Sequence, residues 1–243
     1  MNAVLILALA LGAFTATMTG GVMALKLAGK LPLVVGFSAG AVIGVAFFDL
    51  IPEALGLAVP PYSTPAVLAV VALGFIIYMI LDRTIAPRGH KDAPQRPRWQ
   101  RSMLGAGSLA VHSFFDGFAI GLAFHVSASV GAVVSAAVLV HDFSDGVNTV
   151  GIVLNNEGGR RQAIGWLLID AAAPVLGAAS TLALSLEEAA LGLGLALIAG
   201  FFLYISASDL LPESYHDHPT GWTTAMTILG VAVLYVAIRL SAL

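Results

Sequence analysis

The amino-acid sequence predicts an all-α, polytopic membrane protein of eight transmembrane helices that contains inverted repeats. Three observations predict it. The 243 residues are 58% hydrophobic and 10% charged, with a mean hydropathy of +0.93, and a water-soluble domain of this length carries far more charge. Apolar runs of membrane-crossing length recur from end to end. Ten of the eleven Lys and Arg residues gather on alternate connections between those runs, as the positive-inside rule requires.

The spans fall at roughly 2–25, 32–54, 65–85, 102–125, 128–154, 161–184, 188–212 and 221–242. The first, Met1 to Leu25, has no basic stretch before it and reads as a membrane span, not a cleaved signal peptide. The connections are short except for 86–101, a polar cytoplasmic loop with three prolines. With no second soluble region, residues 1–243 read as a single transmembrane domain. Lys26 and Lys30 lie between spans one and two. Arg83, Arg88, Lys91, Arg96, Arg98 and Arg101 flank the loop between spans three and four, and Arg160 and Arg161 lie between spans five and six. These connections share one side of an eight-span chain and hold ten of the eleven basic residues, Arg239 being the other. That side is expected to be cytoplasmic, with both termini external and the chain in the plasma (inner) membrane. The net charge of -3 argues for no partner, nucleic acid included, and the absence of cysteine excludes disulfides and thiolate metal sites.

The polar residues inside the spans carry the functional information. His112-Ser113-Phe114-Phe115-Asp116-Gly117 in span four returns as His141-Asp142-Phe143-Ser144-Asp145-Gly146 in span five, 29 positions later. On a helix turning ~100° per residue, Asp116 falls near ~40° and Ser113 near ~100° from His112. One stripe therefore presents His, Asp and Ser, and the second copy presents His141, Asp145 and Asp142 alike. A single polar residue in a membrane helix often only bonds a neighbouring helix. Five ionisable groups in a repeated pattern are too costly in a bilayer unless paired, ligated or facing water. Facing stripes would suit one divalent cation, or two sharing the carboxylates of Asp116 and Asp145.

A second repeat links span two to span seven. Asp49-Leu50-Ile51-Pro52-Glu53 returns as Asp209-Leu210-Leu211-Pro212-Glu213 after 160 positions, with Gly40 and Gly200 preceding at equal distance. The charge-derived topology runs these spans in opposite directions, and inverted repeats about a mid-membrane site mark transporters. Pro52, Pro174 and Pro212 each remove a helical donor and loosen the helix there. Gly117 and Gly121 form a small face on which another helix can close.

At these residues the chain resembles the ZIP family of zinc and iron permeases. The run His112 to Gly121 is similar to that family's span-four motif, His141 to Gly146 to its span-five motif, and the two Pro-Glu ends to those of its spans two and seven. The resemblance covers all eight spans. It implies a binuclear centre, with His112, Asp116, His141 and Asp145 as one site and Ser113, Asp116, Asp142 and Asp145 as the other. Two positions depart from it. Ser113 stands where the family often has Asn, and Ala173 precedes Pro174 where many members have a carboxylate, leaving Asp170 one turn earlier as a substitute. The family's His-rich loop is reduced to His90.

The expected function is transport of Zn²⁺, or of Fe²⁺, Mn²⁺, Co²⁺ or Cd²⁺, into the cytoplasm, the ion being cargo with no resident cofactor and no catalytic residue. Asp49 and Glu53 would guide it in, and Asp209 and Glu213 would lead it out. His216, Asp217 and His218 lie just beyond and read first as a solvated loop, while His125 at the outer end of span four stays open between structure and function. Expected partners are divalent metal ions and the lipid bilayer, and a homodimer is open. Rival readings are an intramembrane metal-dependent hydrolase, and a metal-binding channel or sensor.

Overall fold

A computed structural model of the chain describes residues 3–25, 32–85, 98–215 and 221–241. Every regular element among them is helical: α1 (Ala3–Ala24), α2 (Pro32–Val45), α3 (Ile51–Ala58), α4 (Thr64–Ile85), α5 (Arg98–Val126), α6 (Ala128–Asn155), α7 (Arg160–Thr181), α8 (Glu188–Ile205), α9 (Leu211–Tyr215) and α10 (Gly221–Ser241). Two π-helical turns, Ala46–Leu50 and Ser206–Leu210, join α2 to α3 and α8 to α9. Eight helices are long and apolar enough to cross a membrane. Large apolar side chains stand exposed along their outer faces, among them Val4, Ile80, Leu176, Ile228 and Leu240. A water-soluble protein does not leave so much apolar surface uncovered, and lipid covers it at no cost.

Some boundaries differ from the sequence reading. The loop expected over 86–101 gives up its last residues to α5, which starts at Arg98; residues 86–97 lie outside the described residues. Span two continues through Pro52 to Ala58, and span seven through Pro212 to Tyr215. Each π turn ends at the leucine two positions before its proline. A proline cannot donate to the carbonyl a turn earlier, and the widened turn takes up that mismatch without ending the helix. The repeat seen in sequence is therefore a repeat of backbone geometry as well.

The helices pack in two groups. Spans one, four, five and six (α1, α5, α6, α7) form one, with α1 against α6 and α7, and α5 against α6 and α7. In the other, α2 packs on α10, α4 on α8, and α3 crosses to α8. Exchanging spans one with six, two with seven, three with eight and four with five maps these contacts onto one another, as an inverted repeat requires.

Four glycine pairs make the closest of these contacts: Gly117 with Gly177, Gly20 with Gly146, Gly40 with Gly230 and Gly74 with Gly200. In each pair a Cβ on either glycine would strike the carbonyl oxygen three residues before the other. Gly117 meets Pro174 O and Gly177 meets Phe114 O; Gly40 meets Thr227 O and Gly230 meets Phe37 O. Without side chains the backbones touch, and in lipid such contact is a main source of helix association. The small face expected at Gly117 and Gly121 closes on α7, where Gly121 meets the Thr181 side chain.

Candidate metal centre

Spans four and five are joined by one residue. Ser127 is extended, and its Oγ accepts a hydrogen bond from the Val130 backbone N–H at 3.1 Å, capping α6. His112 lies fifteen residues before Ser127 and His141 fourteen after it, so the hairpin sets both imidazoles at one depth. Asp116 and Asp145 lie one turn beyond, at opposite ends of the histidine pair. Side chains lean toward the N-terminus of their own helix, and in antiparallel helices both carboxylates lean back onto the histidines.

The result is a compact, buried cluster. One ligand atom from each of His112, Asp116, His141 and Asp145 lies within 4.8 Å of all the others. His112 Nε2 is 3.1 Å from Asp116 Oδ2 and 3.2 Å from Asp145 Oδ2. His141 Nε2 is 3.3 Å from Asp116 Oδ2 and 3.9 Å from Asp145 Oδ2. Ligands held ~2.0–2.2 Å from a tetrahedral ion lie about 3.3–3.6 Å apart, close to these separations. Both Nε2 atoms, both Asp116 oxygens and Asp145 Oδ2 are buried without a hydrogen-bond partner. The short separations therefore mark lone pairs aimed at a shared point. An unsatisfied buried polar group costs about 1–3 kcal/mol, and a charged one more, so an ion at that point would offset a large local penalty.

The remaining walls are aromatic. The His112 and His141 rings meet edge to face at 5.6 Å. Phe202 of α8 stands at 6.0 Å from His141, and Tyr78 of α4 at 6.0 Å from His112. His141 Nδ1 lies 3.0 Å from Ala137 O and His112 Nδ1 lies 2.9 Å from the Tyr78 hydroxyl. Both rings are thus held by Nδ1 with Nε2 turned inward.

Ser113, Asp142 and Asp170 sit beside this cluster. Ser113 Oγ donates to Asp170 Oδ1 at 2.7 Å, and Thr149 Oγ1 donates to Asp170 Oδ2 at 2.7 Å. Asp142 is fully buried with both oxygens unpartnered, Oδ1 being 3.8 Å from His141 Nε2. The direction of Asp170 is thereby known: one turn before Pro174, it reaches Ser113 across the α5–α7 contact.

The four-ligand cluster includes neither Asp49 nor Glu53. Asp49 is buried in the first π turn with Oδ2 unpartnered, and Glu53 is half-buried in α3. Asp209 falls in the second π turn and Glu213 in α9. His216, Asp217 and His218 lie outside the described residues, as does His90. His125 Nε2 donates to Thr181 O at 2.9 Å, tying the C-terminal end of α5 to that of α7.

Comparison with known proteins gives the family. Residues 90–237 match the family described as ZIP zinc transporter. The chain belongs to the ZIP family. It is 28% identical to zinc transporter ZupT of Corynebacterium aurimucosum over 222 residues, covering 84% of this chain and 83% of that one. It is 26% identical to zinc transporter ZupT of Corynebacterium glutamicum over 259 residues, covering 93% and 97%. Zinc transporter ZIP9 of Xenopus tropicalis is 30% identical over 178 residues, covering 67% of this chain and 59% of that relative.

Within this ZIP chain, several residues of the site went unread in sequence. Thr149 is one turn beyond Asp145 on the same helix and offered no more than a hydroxyl in an apolar run. Ser38 of α2 and Ser144 of α6 have their hydroxyl oxygens 3.2 Å apart, joining the two helix groups beside the cluster. Tyr78 was one of two aromatics in span three, beside Phe75.

Proposed function

We propose that this chain carries a divalent metal ion, Zn²⁺ foremost, across the membrane into the cytoplasm, with His112, Asp116, His141 and Asp145 as the mid-membrane site. The observation carrying this reading is the convergence of unpartnered, buried imidazole and carboxylate atoms at ligand separations on two adjacent spans. Two neutral imidazoles and two carboxylates neutralise a dication and take the place of its hydration shell. Imidazole with carboxylate suits Zn²⁺, and the same set accepts Fe²⁺, Mn²⁺, Co²⁺ and Cd²⁺ with less preference. Membership of a transporter family and the eight apolar helices support transport over catalysis.

Asp142, with Ser113 and the Asp170 carboxylate behind it, is the candidate second site, sharing Asp116 and Asp145. Its donors are oxygens alone, so it would hold an ion less selectively than the imidazole site. The distribution of basic residues supports a cytoplasmic side at the connections after spans one, three and five. In that orientation Asp49 and Glu53 stand toward the outside, Asp209 and Glu213 toward the cytoplasm, both termini are external, and the whole chain acts as one transport domain in the plasma membrane. Uptake into proteoliposomes with a panel of ions tests the reading. Zn²⁺ uptake is expected, with loss on Asp116→Ala or Asp145→Ala; wild-type rates in both variants would place the site elsewhere.

A further inference from the structure

All four ligands of the proposed centre come from spans four and five, but the ring that carries one of them is held from span three. Tyr78 is 3% exposed, and its hydroxyl lies 2.9 Å from His112 Nδ1. His112 Nε2, on the opposite side of the ring, faces Asp116 and Asp145. Nε2 can bind an ion only through its lone pair, so in the loaded site the ring proton is on Nδ1 and the tyrosine oxygen must accept it. A tyrosine hydroxyl both accepts and donates, so the same contact also serves a ring whose proton is on Nε2.

Tyr78 is itself backed on several sides. Its ring meets Phe201 at 5.3 Å and Tyr204 at 5.7 Å. Tyr204 donates to Asp82 Oδ2 at 3.2 Å, and Ser108 donates to Asp82 Oδ1 at 3.4 Å. The sequence reading used none of Tyr78, Tyr204, Asp82 and Ser108. The Phe201 and Tyr204 rings seat the tyrosine against α8, and the two Asp82 bonds tie α4 to α5 and α8 without touching His112 or the Tyr78 hydroxyl.

We propose that Tyr78 is a positioning residue for metal binding: its hydroxyl fixes the orientation and tautomer of His112, so that Nε2 presents its lone pair to the ion. Such a partner on a ligating histidine fixes its tautomer and ring orientation, and its loss typically weakens metal binding. The contact crosses the seam between the two helix groups, so metal affinity depends on α4 resting against α5. This inference rests on the four-residue centre proposed above.

The test uses the purified full-length chain, Zn²⁺ as probe, and two readouts: the Zn²⁺ dissociation constant and the nitrogen NMR spectrum of ¹⁵N-histidine protein. Tyr78→Phe keeps the ring against Phe201 and Tyr204 and removes only the oxygen at Nδ1. Its dissociation constant is expected to rise about 10- to 100-fold, and the Nδ1–H signal of one of two metal-bound imidazoles is expected to move while the other stays. Tyr204→Phe deletes a hydroxyl from the same aromatic cluster without touching His112, and is expected to bind Zn²⁺ as the wild type does. Unchanged binding in Tyr78→Phe, or equal losses in both variants, overturns the proposal. If Tyr78→Phe does not fold, the loaded wild-type spectrum decides, because His112 ligated through Nδ1 is incompatible with the assignment. Asp116→Ala separates the two readings. Zn²⁺ binding that survives it removes the centre itself, whereas loss there with wild-type binding in Tyr78→Phe removes only the role of the tyrosine.

Discussion

Ser113 gives its hydroxyl hydrogen to Asp170 at 2.7 Å across the α5–α7 contact, and so holds the carboxylate that stands one turn before Pro174. Thr149 holds the other oxygen of the same carboxylate. Asp170 is buried and satisfied, while its neighbour Asp142 is buried and bare. Ser113→Ala leaves Asp170 Oδ1 without its donor, at a cost of about 1–3 kcal/mol. The variant is expected to melt several degrees lower in detergent and to keep part of its Zn²⁺ uptake. Complete loss of uptake at unchanged melting temperature would make Ser113 a direct ligand of the transported ion.

Asp116 and Asp145 should behave differently. Each carboxylate faces both imidazoles, so no single ligand can be removed without opening the shell. Asp116→Ala and Asp145→Ala are each expected to reduce liposomal uptake to background. Relieving buried carboxylate repulsion should leave both variants folded, which a gel-filtration profile and a melting curve would check.

Proton competition gives a sign that can be measured. Ligation requires neutral imidazole, so protons and metal compete for the same nitrogen. Zn²⁺ affinity is expected to fall as pH is lowered and the imidazoles take up protons. A titration of binding against pH that stays flat from neutral to pH 5 would exclude His112 and His141 as ligands.

The glycine contacts have an internal control. Gly117→Ala places a Cβ on the Pro174 carbonyl, while Gly151 and Gly165 have nothing within 4 Å of an added Cβ. Overpacking of this kind costs typically 1–3 kcal/mol. Gly117→Ala is expected to lower the melting temperature, and Gly151→Ala and Gly165→Ala to leave it unchanged or raise it. Three equal melting curves would mean that α5 and α7 can separate at little cost.

The absence of native cysteine makes accessibility easy to score. A cysteine introduced at Glu53 is expected to react with an impermeant thiol reagent from outside, and one at Glu213 only from inside. Reaction of the Glu213 position from outside would reverse the proposed orientation of the pathway.

How much of this was legible in the sequence depended on whether a feature repeats. His112 and Asp116 recur as His141 and Asp145 at helical spacing, so the ligand stripe could be read without coordinates. The Pro-Glu ends of spans two and seven were legible for the same reason. Yet proline signals only that a helix loosens, and the π turns at Ala46–Leu50 and Ser206–Leu210 had to be seen. Tyr78 and Ser38 were illegible because each acts across an inter-helix contact, Tyr78 on a residue 34 positions away and Ser38 on one 106 away. A lone tyrosine or serine in an apolar run carries no period. The start of α5 was misplaced because Arg98 and Arg101 read as loop, although a helix can continue past the bilayer into water.

The pairing of α2 with α10 also sets an order of events at the ribosome. The Gly40 seam is closed by Thr227 and Gly230, which follow Gly40 by 187 and 190 positions in the chain. Until they emerge, α2 waits in lipid with its close-contact face open, while α1 waits for Gly146 of α6. Among the described residues no two of spans one, two and three form a glycine pair with each other, so these helices enter the membrane before their close-contact partners. A chain that stops before residue 227 leaves that seam exposed, a mark by which membrane quality control could tell an unfinished copy from a finished one.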